Sequence, residues 1–268
     1  MLSWLPRISV FLSLVIASSS LDPASDTSQT VTPSQWMVIG PFASEGNNAA
    51  FKDYLTQAGG EANPSLVDSA GKRWQAARAD AEGRVSFGKL WPGSKRAIAY
   101  ASATLQSTEE RFVAITLGSG NNIQIRLNGD IVYESRLSRK PESDKDTLVL
   151  HLRKGESRLL AKVEGEGDSW ALQWKTDFPS GPLFINEKEI VVPDVRLGCT
   201  LGAWGQVEVA NASGKPFKGL TVEVLEDDQV KGSRSERTEI QAGGVQRIPI
   251  WIAGKNPASG NSGSFRLK

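Results

Sequence analysis

The stretch GSGNNIQIRLNGDIVYES, residues 118–135, decides the fold. Ile123, Ile125 and Leu127 alternate with Gln124 and Arg126, the period of a half-buried strand. Asn128-Gly129 follows, the dipeptide favoured in tight hairpin turns, because both positions tolerate positive φ. The chain then returns as DIVYES. A hairpin is therefore predicted, entered through the small polar loop 118–122. That loop has two readings: a simple entry to the hairpin, or part of a binding rim.

The same signal repeats on both sides. RAIAYASATL (96–105), RFVAITL (111–117), LVLHL (148–152), RLLAKVE (158–164) and WALQW (170–174) are short apolar or alternating runs separated by turn residues. Earlier, WMVIG (36–40) ends at Gly40-Pro41, and GKRWQAA (71–77) and RVSFGKL (84–90) are candidate edge strands. FKDYLTQA (51–58) predicts one or two helical turns. After the turn-rich PSGP (179–182), GQVEVAN (205–211), LTVEVLE (220–226), RTEIQ (237–241) and QRIPIWIA (246–253) alternate again. Ile248, Ile250 and Ile252 share one face, with Pro249 and Trp251 opposite; the proline predicts an edge strand. SFRLK (264–268) reads as one more strand. The expected fold is all-β: a larger antiparallel sandwich over 35–178 and a smaller one over 185–268.

Residues 1–20 carry the pattern of an export signal. Arg7 precedes an apolar run from Ile8 to Ala17, about ten residues against the ~20 of a spanning helix, and small residues follow. Residues 21–34 are rich in Ser, Thr, Pro and Asp and are read as a flexible leader. The expected location is secreted or periplasmic, with no stable membrane insertion after signal cleavage. The 268 residues hold 31 Lys+Arg and 30 Asp+Glu, a net charge of +1. Such balance gives no electrostatic reason for nucleic acid as a partner. Cys199, in VRLGCTLG, is the one cysteine, so no internal disulfide can form.

The segments IGPF, AYASATLQS, VAITLGSGNNIQIRLNGDIVYES and LVLHLRKGESRLLAKVEGEGDSWALQW are together similar to an exported bacterial module. They resemble galactose-binding-like or PA14-like jelly-roll domains, which sit at the front of large secreted hydrolases, peptidases and repeat proteins. The resemblance spans roughly 36–178; residues 185–268 resemble a small immunoglobulin-like sandwich. Related PA14-like loops carry paired aspartates where this chain has Gly120-Asn121-Asn122. Amides are poorer ligands than carboxylates for a hard cation, so no metal is expected.

The catalytic inventory is thin. His151 is the sole histidine and lies in the strand LVLHL. A multi-histidine zinc site is therefore excluded, and a Ser-His-Asp triad would have to use this residue. Ser69-Ala70-Gly71-Lys72 matches S-x-x-K but sits in a turn-like stretch. Asp144, Asp146, Glu164, Glu166 and Asp168 are read as loop carboxylates with nothing to pair them. Asn211-Ala212-Ser213 is a glycosylation sequon that also reads as a turn.

The expectation is thus a non-catalytic binding or accessory module without cofactor, for a glycan or a partner protein. Its candidate ligand-binding residues are Asn121, Asn122, Arg139, Lys140 and Asp168, on loops expected at one end of the sandwich. Trp74 and Trp91 join them as indoles set among polar or Pro/Gly neighbours. Trp36, Trp170 and Trp174 are assigned to the core. The alternative is a structural or docking N-terminal region of a larger secreted hydrolase or peptidase.

Overall fold

The computed structural model describes residues 10–12, 32–44, 52–55, 71–119, 121–136, 146–177, 181–192, 202–225, 230–254 and 265–267. The architecture is all-β. The chain divides into two compact units: one is Ser25–Phe178, the other Pro179–Lys268 together with Met1–Ala24. Strand β1 (Val10–Leu12) belongs to the second unit.

The first unit contains β2 (Gln35–Ala43), β3 (Gln75–Arg78), β4 (Arg84–Ser86), the single-turn helix α1 (Phe87–Leu90) and β5 (Ala97–Ser107). It continues with β6 (Arg111–Ser119), β7 (Ile123–Leu127), β8 (Asp130–Ser135), β9 (Asp146–Leu152), β10 (Gly155–Gly165) and β11 (Ala171–Asp177). A six-stranded sheet has the order β3-β2-β5-β10-β7-β8, and a four-stranded sheet the order β4-β11-β6-β9. The inner faces of both contribute to one core. β5 offers Ala97, Ala99, Ala101 and Ala103 to it, and Trp36, Trp170 and Trp174 lie in the same cluster. Small residues opposite large ones let two sheets interdigitate without voids. Trp36 and Trp174 meet edge to face, with centroids 6.1 Å apart.

The hairpin at 123–135 forms as its sequence demands. Asn128 has φ 53° and Gly129 φ 96°. Arg158 N–H donates to Asn128 Oδ1 at 2.8 Å, tying the turn to the neighbouring strand. Two short elements depart from the expectation. RVSFGKL is strand only through Ser86, then one helical turn whose Trp91 N–H donates to Phe87 O at 2.9 Å. The expected helix at 51–58 is not formed over its described part, 52–55, which is a bend. Leu55 there is held down on the sheet in a second apolar cluster with Ile39, Phe42, Ile98, Tyr100 and Leu160. This cluster covers the outer face of β2, β5 and β10. That is why A-I-A-Y of β5 is buried on both faces.

The second unit has β12 (Leu183–Ile185), a 3-10 turn (Glu187–Glu189), β13 (Gly202–Asn211), β14 (Phe217–Leu220) and β15 (Glu223–Leu225). β16 (Val230–Lys231), β17 (Ser233–Arg234), β18 (Thr238–Ile240), β19 (Val245–Gly254) and β20 (Phe265–Leu267) complete it. One sheet runs β12-β13-β19-β16, another β1-β20-β15-β17, and β14 pairs with β18. Val207, Val209, Val224, Ile240, Ile248, Ile250 and Ile252 form its core. β19 is not the edge strand that Pro249 suggested, since β13 and β16 flank it. The proline is accommodated because β16 reaches only Ala253 and Gly254, leaving no described partner beside Pro249 on that side. β1 runs parallel to β20 and comes from the segment expected to be removed on export, so that pairing belongs to the uncleaved chain.

Asn211 holds this unit together at a turn. Its side chain is fully buried. Nδ2 donates to the carbonyls of Lys215 (2.8 Å), Ile240 (3.1 Å) and Gln241 (3.1 Å), while Oδ1 accepts from Ser213 N–H at 3.1 Å. The sequon is therefore a turn with an inward amide. Cys199 lies outside the described residues.

Candidate functional site

Antiparallel register brings several strand ends to one end of the first unit. Gly165 of β10 pairs with Ala97 of β5, Ala97 with Ala43 of β2, and Val163 with Ile123 of β7. Ser135 of β8 pairs with Ile123, and β11 enters opposite Ser119. The loop 119–122, the start of the 136–146 connection and the turn 165–170 therefore emerge at that same end.

Glu164 organises this end. Its side chain is 2% exposed and faces away from the core. Arg96 donates from Nε to Oε1 at 2.9 Å and from its second guanidinium nitrogen to Oε2 at 3.1 Å. Asn122 Nδ2 donates to Oε2 at 2.5 Å, and Ser44 Oγ donates to Oε1. The Glu164 N–H donates to Asn122 O at 2.9 Å. Burial pushes this carboxyl up, but the hydrogen bonds from Arg96, Ser44 and Asn122 outweigh it and hold the group below the usual glutamate range. In turn Glu164 raises the Arg96 guanidinium. One charged carboxylate thus ties its own strand to residues from three other segments, leaving the Arg96 side chain 58% exposed.

The neighbouring turn is equally determined. Gly167 N–H donates to Ser94 O at 3.0 Å and Trp170 N–H to Gly167 O at 3.3 Å. A Cβ on Gly165 would come within 2.1 Å of the Trp170 ring, so only glycine fits there. Glu166 and Asp168 project into solvent.

A second polar group lies on the outer face of the six-stranded sheet. Tyr100, Lys162 and Gln124 are register neighbours across β5, β10 and β7. The Lys162 Nζ donates to Lys52 O at 2.6 Å, Tyr54 N–H donates to Tyr100 Oη at 3.0 Å, and Arg126 pairs with Asp53 at 3.5 Å. Burial pushes the Tyr100 hydroxyl up and the Lys162 ammonium down. These groups spend their bonds fastening the 52–55 segment, so the cluster is structural.

The sequence-derived candidates separate accordingly. Asn122 is turned inward to Glu164 and acts as a positioning residue, while Asn121 is half-buried beside it. Asp168 is exposed at the same end. Arg139 and Lys140 lie outside the described residues, as does Asp144. Trp74 and Trp91 are not freely exposed. Trp74 packs against the outer apolar cluster, and Trp91 stacks on Phe87 (6.1 Å) and lies 5.7 Å from Trp170. Glu164 is not the solvated loop charge its position suggested. Trp36, Trp170 and Trp174 are buried as expected. His151 is exposed on β9, stacked on Phe112 at 4.6 Å, with Nε2 2.8 Å from Glu110 Oε1. Ser44, Arg96, Trp204 and Trp251 are absent from the sequence-based set. Only Trp251 left a signal there, standing opposite the isoleucine face of its strand.

Among the described residues no group of three or more His, Cys, Asp and Glu side chains is placed to hold a metal ion. No helix there is long and apolar enough to cross a membrane. No protein-family model matches the chain, and comparison with curated proteins gives no match either. Among solved structures, the chain is similar to a family 2 β-galacturonidase from Eisenbergiella tayi at 13% identity and a TM-score of 0.40, covering 80% of this chain and 35% of that one. It is similar to an exo-chitosanase from Amycolatopsis orientalis at 12% identity and 0.39, covering 84% and 29%. A Bacteroides uniformis β-glucuronidase gives 14% and 0.38, covering 85% and 28%. The chain spans about a third of the length of these structures. A likeness at this level says nothing about activity.

Proposed function

We propose that this chain is an exported, non-catalytic accessory module that binds carbohydrate at the Glu164 end of its first sandwich. The observation that supports it is the rigid rim there. The buried carboxylate of Glu164 accepts from Arg96, Ser44 and Asn122, with Arg96, Glu166 and Asp168 left at the surface. Preorganised donors and acceptors of mixed charge suit sugar hydroxyls, since little ordering entropy is lost on binding. The absence of catalysis is supported by the chemistry of His151, whose ring is occupied by Glu110 and Phe112 on an open strand surface. Export is supported by the charged start and short apolar run of residues 1–20.

A glycan array probed with the chain lacking residues 1–20 tests this. Retention on at least one glycan is expected, weakened at least fivefold by Arg96→Ala and by Asp168→Ala. No retention on any glycan, or turnover of glycosides or esters lost with a rim carboxylate, would overturn the proposal.

A further inference from the structure

The second unit exposes two large indoles that its core does not need. Trp204 on β13 and Trp251 on β19 are 65% and 42% exposed. They are direct register partners across the ladder. Their rings meet edge to face, centroids 5.4 Å apart at 72°. The core is closed on the opposite face of the same strands by Ile248, Ile250 and Ile252, each 1% exposed.

We propose that Trp204 and Trp251 form a stacking site for a pyranose ring, a second glycan contact in addition to the rim of the first sandwich. The flat C–H face of a pyranose carries partial positive charge and matches the negative face of an indole. The edge-to-face pair presents one such face beside an upright ring, a shelf with a wall. Gly202 lies two residues from Trp204 on the same face, and a Cβ there would come within 3.2 Å of Trp251 Cζ2. The strand is thus bare where the Trp251 ring lies over it.

The same face continues with hydrogen-bonding groups. Gln206 is the next outward position of β13, about 7 Å along the strand, followed by Glu208. Arg247 pairs with Glu208 in register and donates to its Oε2 at 3.0 Å; it also lies 3.6 Å from Glu189. The two carboxylates are largely buried beneath the half-exposed Arg247, and the exposed Lys231, paired in register with Ala253, lies on the same face beside the indoles.

The size of the patch points the same way. The exposed indole area amounts to roughly one whole ring, on the order of 250 Å². A stable protein interface needs ~800 Å² from each partner. A single sugar ring is covered by one indole face.

This site lies on the other unit from the rim, and the test separates them. Affinity electrophoresis of the chain lacking residues 1–20 is run in gels containing hydroxyethylcellulose, galactomannan, laminarin or polygalacturonate. Retardation by at least one of the four polymers is expected. Trp204→Ala and Trp251→Ala are expected to weaken that retardation at least tenfold while thermal unfolding shows both variants folded. Arg96→Ala and Asp168→Ala report on the rim alone. Retardation lost in the rim variants but kept in both tryptophan variants overturns this inference and leaves the rim proposal standing. Binding of the tryptophan pair to neutral phosphatidylcholine vesicles with no polymer retarded also overturns it.

Discussion

At Asn211, three backbone carbonyls from two separate stretches accept from one amide group. Asn211→Ala removes that donor from a buried turn, and an expected loss of about 2 kcal/mol follows, measured by urea unfolding. Glu164 carries a comparable role at the other unit's end. A carboxyl whose folded pKa lies below the ~4.3 of an unfolded glutamate adds stability above that pH. The contribution disappears as pH falls through the folded value. Glu164→Gln is therefore expected to cost about 2 kcal/mol at pH 7 and to match wild type more closely as pH drops below ~4, read from melting temperatures across pH. The site was only partly legible because its central contacts join residues far apart in the chain. Asn122 and Asp168 announce themselves as loop polar residues. Nothing near Glu164 in sequence reveals that Arg96, 68 positions earlier, will bind it. Trp74 and Trp91 look exposed from their polar neighbours, yet the outer apolar cluster half-covers the first, and Phe87 with the sequence-distant Trp170 half-covers the second.

At the scale of elements, two-residue periodicity is the strongest signal, and it locates the long strands. IQIRL and the isoleucines of β19 declare their buried faces because every second residue is apolar. Four-residue pieces carry too little pattern, so the helical turn at Phe87–Leu90 is indistinguishable from strand until Trp170 and Trp91 are seen stacking around Phe87. Trp204 faces Trp251 only through the β13–β19 register, which no local pattern encodes. The β7–β8 hairpin offers a direct test of turn chemistry. Gly129, at φ 96°, sits where a side chain is strained. Gly129→Ala is expected to destabilise the unit by about 1 kcal/mol or more, checked by chemical denaturation. Gly165→Ala is expected to cost more, since the Trp170 ring must move to admit the methyl group.

At the scale of the molecule, each unit closes a core from its own residues. Residues 32–178 produced alone are expected to unfold in a single cooperative urea transition, with the tryptophan fluorescence shift of Trp36, Trp170 and Trp174 reporting it. The two proposed glycan contacts lie on separate units of one chain, and linked sites can gain avidity. The inward amide of Asn211 has a last consequence, for how the protein can be made. In a eukaryotic secretory host, oligosaccharide is transferred to Asn-x-Ser as the nascent polypeptide enters the lumen, before a domain has closed. A sugar tree placed on that nitrogen could never be enclosed. Yeast or mammalian secretion is thus set to yield retained, misfolded material, whereas a bacterial periplasm would release the native form.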